Sequence, residues 1–171
     1  MAIKVLALVC AAVSVVAGGG PALAGSTSVA PTGRTKLVGG SAEHPVSVTF
    51  VTRRVRIDHP GAPPPALRTN SCTYSRYPCS LVDSLEISVR GRAVLVRRSV
   101  FADLADINTA QLKPRPAGGY TLTLTGGDAS EAYDATIVFD DHRVRERTII
   151  ASEAGQVAEK TVYSDLSKAF E

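Results

Sequence analysis

Polar and hydrophobic residues alternate with a period of two over much of the chain, which is the pattern of half-buried β-strands. The clearest segments are "GYTLTLT" at 119–125 and "YDATIVF" at 133–139. In both, every second residue is apolar or aromatic, and most of the residues between them are threonine or charged. Each segment therefore predicts a strand that turns one face toward a core and the other toward water.

Weaker forms of the same pattern, or a high content of β-branched residues, predict six further strands. These segments are "VSVTFVTRRVRI" (46–57), "LEISV" (85–89), "AVLVRR" (93–98), "TAQLKPR" (109–115, an edge strand), "RVRERTII" (143–150) and "QVAEKTVYS" (156–164). The glycine centred in Arg90-Gly91-Arg92 predicts a tight hairpin between two of them. Between Ser99, a suitable N-cap, and Ile107 the apolar spacing predicts one short helix.

The order of these elements contains no strand–helix–strand alternation. We therefore expect a mainly β fold, an antiparallel β-sandwich or small barrel of about six to eight short strands with one short helix.

The loop between the two clearest strands, Gly126–Ala132, concentrates glycine and acidic residues. Asp128 and Glu131 are three positions apart, as in a capping arrangement, and this needs no ligand. Phosphate-loop and EF-hand spacings are both absent. A structural hairpin loop is the favoured interpretation, and a partner-recognition loop or a metal or catalytic site are the alternatives left open.

The start of the chain predicts export. Lys4 precedes an apolar run that is shorter than the roughly 20 residues needed to span a bilayer, and an Ala-Leu-Ala cleavage pattern ends at Ala24. We expect a signal peptide at 1–24, a flexible leader at 25–45 and a single β-rich domain at 46–171. No later segment predicts a transmembrane span, so the mature protein is expected in the periplasm or outside the cell.

Two cysteines, Cys72 and Cys79, remain after cleavage. An even number in an exported protein predicts a disulfide, here one that closes a short ring. A zinc site would need four ligands, and the histidines are scattered. A redox pair would more often have the C-x-x-C spacing. No metal or other cofactor is therefore predicted.

Charge is unevenly distributed, although the formal net charge is a modest +3. Arg143, Arg145 and Arg147 would form a basic stripe on one face of their predicted strand. Such a stripe can bind phosphate or a carboxylate-rich partner through bidentate contacts. The alternative is a solvated face paired with nearby acids. The small net charge and the exported context disfavour nucleic acid as a partner.

No catalytic motif is present. Ser99, Asp103 and His142 supply the residue types of a nucleophilic triad, but no serine lies in a G-x-S-x-G elbow. In the sequence "DDHR", His142 is better explained as an exposed turn residue than as a base. No catalytic residue is therefore predicted.

The segments "LEISVRGRAVLVRRSVFADLADI" and "GGYTLTLTGGDASEAYDATIVFDDHRVRERTI" resemble a pattern in uncharacterised exported proteins of Gram-negative bacteria. The resemblance covers about residues 85–150. It implies export and no activity, cofactor or binding residue.

Three functions fit these observations. The favoured hypothesis is a periplasmic or secreted non-enzymatic binding protein, inhibitor-like or immunity-like, whose partner is a secreted or envelope protein. Its partner-binding candidates are Asp128 and Glu131 in the loop and Arg143, Arg145 and Arg147 in the stripe. The alternatives are a small hydrolase-type enzyme with a non-standard site, acting through Asp128, Glu131 or His142, and a structural component of the cell envelope.

Overall fold

A computed structural model of the protein describes residues 26–55, 79–128 and 131–165. Within these ranges the chain forms ten β-strands and one 3-10 helix, Arg98–Val100. The strands are β1 (Thr27–Ser28), β2 (Gly33–Gly40), β3 (Pro45–Arg54), β4 (Ser80–Val89), β5 (Arg92–Ala93), β6 (Ile107–Pro114), β7 (Tyr120–Gly126), β8 (Tyr133–Phe139), β9 (Val144–Ala151) and β10 (Gln156–Val162). No helix in the described ranges is long and apolar enough to cross a membrane.

The strands form two antiparallel sheets. The larger sheet has six strands in the order β1-β6-β7-β8-β9-β10, and the smaller has four in the order β2-β3-β4-β5. From β6 to β10 the strands that follow one another in sequence are also neighbours in the sheet, so this part is a simple meander. In a meander, successive loops lie at alternate ends of the sheet, so the β7–β8 loop and the β8–β9 turn are at opposite ends.

Side chains from both sheets meet in one hydrophobic core. Along β3 and β8 every second side chain is buried, as the period-two pattern predicted. The largest side chains with less than 2% exposure come from the smaller sheet, from the larger sheet and from the segment between them: Val46, Val48, Phe50 and Val89; Leu122, Leu124, Ile137, Phe139 and Ile149; and Val100 and Leu104. The two sheets therefore form a sandwich around a shared core, which confirms the predicted fold class.

The predicted β7–β8 hairpin is confirmed, as is the turn at Arg90-Gly91-Arg92, but the strand predicted at 93–98 was wrong in its bounds, because only Arg92–Ala93 pair with β4. Strands β7 and β8 pair from Tyr120↔Phe139 to Gly126↔Tyr133, and the Tyr120 and Phe139 rings stack with centroids 5.6 Å apart. Between β4 and β5 the turn residues Arg90 and Gly91 have φ angles of 52° and 75°. Positive φ at both central residues is the requirement of the type I′ turn, which matches the twist of the paired strands.

The prediction of a flexible leader was wrong for the described residues 26–45. They contain β1 and β2, and β2 pairs with β3 along its full length, from Gly33↔Thr52 to Gly40↔Pro45. Only Leu37 in β2 is buried, because the strand lies at a sheet edge and three of its eight residues are glycine. Its alternation is therefore too weak to be recognised from sequence.

The predicted helix after Ser99 is a single 3-10 turn. Its N-cap is Arg97, without a side-chain cap, and Ser99 lies inside the turn. Soon afterwards Asp106 adopts a φ of 47°, which reverses the chain into β6. The segment is too short to recover the cost of helix nucleation, so its apolar residues reach the core from turns instead. Strand β6 also differs from the expected edge strand, because the two residues of β1 pair with it.

Candidate functional site

The Gly126–Ala132 loop joins β7 to β8 as predicted, and its described residues are held by backbone contacts. The Glu131 N–H donates to the Asp128 carbonyl oxygen at 2.9 Å. The Gly127 N–H donates to the Asp106 carbonyl oxygen at 3.2 Å, and the Asn108 side-chain amide donates to the Gly127 carbonyl oxygen at 3.1 Å. Asp128 and Glu131 are exposed on this anchored turn.

Beneath this loop lies Tyr133, whose ring packs against the backbone of Gly126. A Cβ atom at Gly126 would lie 2.6 Å from the Tyr133 Cζ and hydroxyl oxygen atoms. The hydroxyl donates to the Ala105 carbonyl oxygen at 2.7 Å. Burial raises the pKa of Tyr133, and this hydrogen bond opposes the rise only in part. The phenol is therefore neutral and structural, and Gly126 is required for space.

The three arginines predicted as one stripe have different environments, and the stripe prediction was wrong. A register shift between Val138 and Phe139 places a β-bulge in β9 at Arg145. After the bulge, Arg147 lies opposite the buried Ile137 and points into the sandwich with 3% side-chain exposure, whereas the Arg145 side chain is 48% exposed. The extra residue thus moves Arg147 to the opposite face from Arg145.

Arg147 is the centre of a buried ion-pair network. Its guanidinium donates to the Asp103 carboxylate at 2.7 Å, to the Glu159 carboxylate at 3.1 Å and to the Ser99 carbonyl oxygen at 3.2 Å. These contacts tie β9, β10 and the segment after the 3-10 helix together. Its two terminal nitrogens donate to the chain's own acceptors, whereas its Nε is buried without a hydrogen-bond partner among the described residues. With 3% of its side chain exposed, Arg147 has a structural role and is not available to a partner.

The β8–β9 turn is organised by Asp140. Its Oδ1 accepts the backbone N–H groups of His142 and Arg143, each at 2.8 Å, and its Oδ2 accepts from the Arg145 guanidinium. Partial burial alone would raise the pKa of Asp140, but the two N–H groups and Arg145 outweigh it and lower the pKa below 3.8. His142 is 70% exposed beside Asp141, which confirms it as an exposed turn residue.

The predicted partner-binding residues do not form one surface. Asp128 and Glu131 precede β8, whereas Arg143 and Arg145 follow it, so the seven-residue strand separates the two groups. At about 3.3 Å per residue this separation is roughly 20 Å. The same geometry separates Asp128 and Glu131 from His142. The two groups therefore cannot act on one small substrate or contact one small ligand.

At the Arg143 end of the sheet, three segments meet and form a cleft. The chain after β5 leaves the smaller sheet and bonds to the start of β9: the Leu95 N–H donates to the His142 carbonyl oxygen at 2.7 Å, and the Val144 N–H donates to the Leu95 carbonyl oxygen at 3.1 Å. On the other side, the Tyr163 N–H donates to the Arg145 carbonyl oxygen at 2.9 Å and so extends β10 beside β9. The start of β9 is thus held between residues 95–97 and residues 163–165.

The cleft has a volume of about 340 Å³, within the range of small-ligand sites. Its lining combines apolar and cationic side chains, one acid and one phenol: Leu95, Arg97, Arg143, Val144, Tyr163, Ser164 and Asp165. Leu95 is 61% exposed, although it is a large aliphatic residue on the rim. The cleft therefore offers an apolar contact beside hydrogen-bond donors.

Two of its donors have no acceptor within the described part of the chain. The Tyr163 residue is 7% exposed, and its buried hydroxyl has no hydrogen-bond partner there. Arg97 is exposed, and neither a hydrogen bond nor an ion pair joins its guanidinium to a described residue. Because the Tyr163 hydroxyl oxygen is inaccessible to solvent, Arg97 is the donor of this pair that a ligand in the cleft can reach.

Arg143 also contributes donors to the cleft, and it already forms an ion pair with Asp165. The Arg143 side chain is 16% exposed, and its guanidinium lies 3.5 Å from the Asp165 carboxylate, which is 35% exposed. With two arginines and one acid, the cleft keeps a net positive charge. Partial burial of Arg143 strengthens its attraction for an anion, because fewer waters screen it.

Of these cleft residues, the sequence interpretation had singled out only Arg143. Leu95 and Arg97 lie 66 to 70 positions before Tyr163 and Asp165, so no spacing rule connects them. In the sequence, an aliphatic residue followed by arginines in "VLVRR" could have suggested a binding site, but this segment was interpreted only as part of a strand. A functional interpretation needed the pairing of residues 95 and 143, which only the fold supplies.

The described residues form neither a catalytic triad nor a metal site. Asp103 bonds to Arg147, as does the Ser99 carbonyl, while His142 contacts Asp141, so the triad residue types do not form a relay. The described ranges hold no group of three or more His, Cys, Asp or Glu side chains placed to bind a metal ion. Cys79 is buried at the start of β4, and Cys72 lies outside the described residues, so the disulfide stays a prediction.

Comparisons of the chain with protein-family profiles, with curated proteins and with solved structures found no match.

Proposed function

We propose that this protein is an exported, non-enzymatic binding protein that takes an acidic group of a partner protein into the cleft between residues 95–97 and 163–165. The observation that carries the proposal is the meeting of Arg97 and Arg143 in one cleft beside the exposed Leu95. An inhibitor-like or immunity-like role toward a secreted or envelope protein is the form that we favour.

The chemistry of the lining supports binding better than catalysis. Guanidinium groups form strong, directional hydrogen bonds with carboxylates. The cleft lining contains the hydroxyl of Ser164 and the carboxylate of Asp165 but no histidine, cysteine or lysine, and no hydrogen bond in the described part of the chain joins Ser164 to a general base. A site of this composition can hold an anion without transforming it.

The scaffold also supports recognition. Backbone hydrogen bonds fix Leu95 and Tyr163 to the start of β9, so the backbone of the two flanking cleft segments is positioned before a partner arrives. A preorganised site loses little conformational entropy on binding, which favours affinity from a small contact area. The signal-like segment at 1–24 supports a partner encountered outside the cytoplasm.

Affinity capture with a charge-reversed control tests the proposal. Residues 25–171 are immobilised in three forms, wild type, Arg97→Glu and Arg115→Glu, and envelope and culture-supernatant proteins retained by each are quantified by mass spectrometry. Arg115 is exposed in the β6–β7 turn, outside the cleft lining, so its reversal makes the same change of charge elsewhere.

We expect at least one protein that binds stoichiometrically to the wild type and to Arg115→Glu, and that is depleted about tenfold or more on Arg97→Glu. Loss of one charge-assisted hydrogen bond and the added repulsion are each sufficient for this factor. Equal retention by all three forms, or no specific retention by any, contradicts the proposal.

A further inference from the structure

We infer that the acidic group taken by the cleft is the C-terminal carboxylate of a polypeptide whose last side chain is aliphatic. This inference rests on the proposed function and adds the class of ligand. It follows from the size of the cleft, from the arrangement of its apolar and donor groups, and from the acid that the chain already places there.

The size of the cleft limits what can enter it. A volume of about 340 Å³ is near the lower end for ligand sites and suits one or two residues of a chain. The partner's remaining surface would stay outside. A chain end meets this condition, because only one direction of the backbone has to leave the cleft.

The pairing of apolar and donor groups distinguishes a chain end from an acidic side chain. The terminal residue carries its carboxylate and its side chain on the same carbon atom. Its carboxylate can therefore meet Arg97 and Arg143 while an aliphatic side chain contacts Leu95. An Asp or Glu side chain ends in its carboxylate and brings no apolar group to Leu95, which would stay 61% exposed.

The number of donors also matches. A carboxylate has two oxygen atoms with about four lone-pair directions, which suits the guanidinium groups of Arg97 and Arg143. Arg97 is exposed and has no acceptor in the described part of the chain, so it can bond to a charged acceptor without breaking an existing contact.

Asp165 shows that a carboxylate fits against Arg143 and acts as an internal competitor. Its contact of 3.5 Å is long for a charge-assisted hydrogen bond, and the Asp165 side chain is partly exposed. An arriving carboxylate can displace it without leaving Asp165 buried and unpaired. Removing the charge of Asp165 should therefore strengthen binding.

A titration with matched peptides tests the inference. The probe is acetyl-Ala-Ala-Leu with a free C-terminal carboxylate, added to isotopically labelled residues 25–171 and followed by NMR chemical shifts. The same peptide as a C-terminal amide and the amidated peptide acetyl-Ala-Asp-Ala are the comparisons. The first lacks the carboxylate, and the second carries it on a side chain.

We expect the free acid to perturb the amides of Leu95, Val144 and Tyr163 and to bind at least tenfold more tightly than either comparison peptide. Arg97→Gln should weaken binding of the acid about tenfold, whereas Asp165→Asn should strengthen it several-fold and Arg115→Gln should leave it unchanged. Thermal unfolding of each variant verifies that the domain is folded.

Equal affinity for the acid and its amide overturns the inference, and so does an absence of binding by the acid. Tighter binding of the internal aspartate peptide also overturns it, because the ligand is then a side chain. If the acid fails while a captured partner still depends on Arg97, this inference is wrong and the proposed function stands. If neither the peptides nor a partner depends on Arg97, both are wrong.

Discussion

At the scale of single residues, the packing of Tyr133 requires glycine at position 126. The Tyr133 ring occupies the space into which a Cβ atom would project, and the ring is held there by its hydrogen bond to Ala105. The position of the Tyr133 ring therefore leaves no room for a side chain at residue 126, the first residue of the loop. The sequence showed two glycines at this turn but not that one of them makes room for an aromatic ring from the next strand.

We predict that Gly126→Ala destabilises the domain by about 1–3 kcal/mol, the usual cost of overpacking a filled site. The methyl group would displace the ring and break the hydrogen bond to Ala105. Urea unfolding monitored by circular dichroism measures the change. Tyr133→Phe, which removes only the hydroxyl, is the control and should cost about 1 kcal/mol. An unchanged unfolding midpoint for Gly126→Ala would refute the close packing.

Asp140 offers a prediction with a defined pH dependence. Because its pKa is lowered in the folded state, its charge contributes stability above its unfolded pKa of about 3.9. That contribution is lost as the pH falls through the folded-state pKa.

We therefore expect Asp140→Asn to reduce the free energy of unfolding at pH 7 by about 1 kcal/mol, since the amide oxygen still accepts the N–H groups but the charge is gone. The difference from wild type should shrink as the pH falls below 3.8. Thermal unfolding measured from pH 7 down to pH 2.5 follows this trend. A deficit that stays constant over this range would mean that the charge of Asp140 does not stabilise the fold.

At the scale of secondary-structure elements, the bulge in β9 assigns different roles to arginines that look equivalent in sequence. Arg145 pairs with Asp140 on the surface, and Arg147 anchors three segments inside the sandwich. Breaking a buried ion pair by removing one partner leaves the other charge without compensation, whereas exposed pairs contribute little.

We predict that Arg147→Met destabilises the domain by about 3–5 kcal/mol and that Arg145→Met costs no more than about 1 kcal/mol. The same substitution two positions apart provides a matched control for helix or strand propensity and for net charge. Denaturant unfolding of the two variants gives the comparison. Similar losses of stability would show that the bulge does not separate the two side chains as described.

The strands themselves were largely predictable, because alternation of apolar residues follows directly from the geometry of a sheet with one buried face. This held for β3, β7 and β8, where every second side chain is buried. It failed for β2, where one buried leucine is too weak a signal. It also failed at the β9 bulge, since an inserted residue changes the face without changing the composition.

At the scale of the whole molecule, the cleft depends on contacts that no local pattern encodes. Segment 95–97 leaves one sheet to bond with the start of β9 in the other, and residues 163–165 approach it from the opposite side. The sequence identified Arg143 as a binding candidate but grouped it with Arg145 and Arg147. The fold groups it instead with Arg97 and Tyr163.

The fold also separates the predicted binding residues of the β7–β8 loop from those near the cleft. Asp128 and Glu131 lie at one end of the sandwich and the cleft at the other, on opposite ends of β8. Whether Asp128 and Glu131 contact a second partner stays a prediction. Binding at the cleft requires neither of them, so their substitution should leave it unchanged.

The most direct test of the account is a calorimetric titration of the captured partner, produced in recombinant form, into wild-type protein, Arg97→Glu and Arg115→Glu. We predict that Arg97→Glu raises the dissociation constant by at least tenfold, while Arg115→Glu stays within about twofold of wild type. Equal dissociation constants for the three proteins would contradict the assignment of the cleft as the binding site.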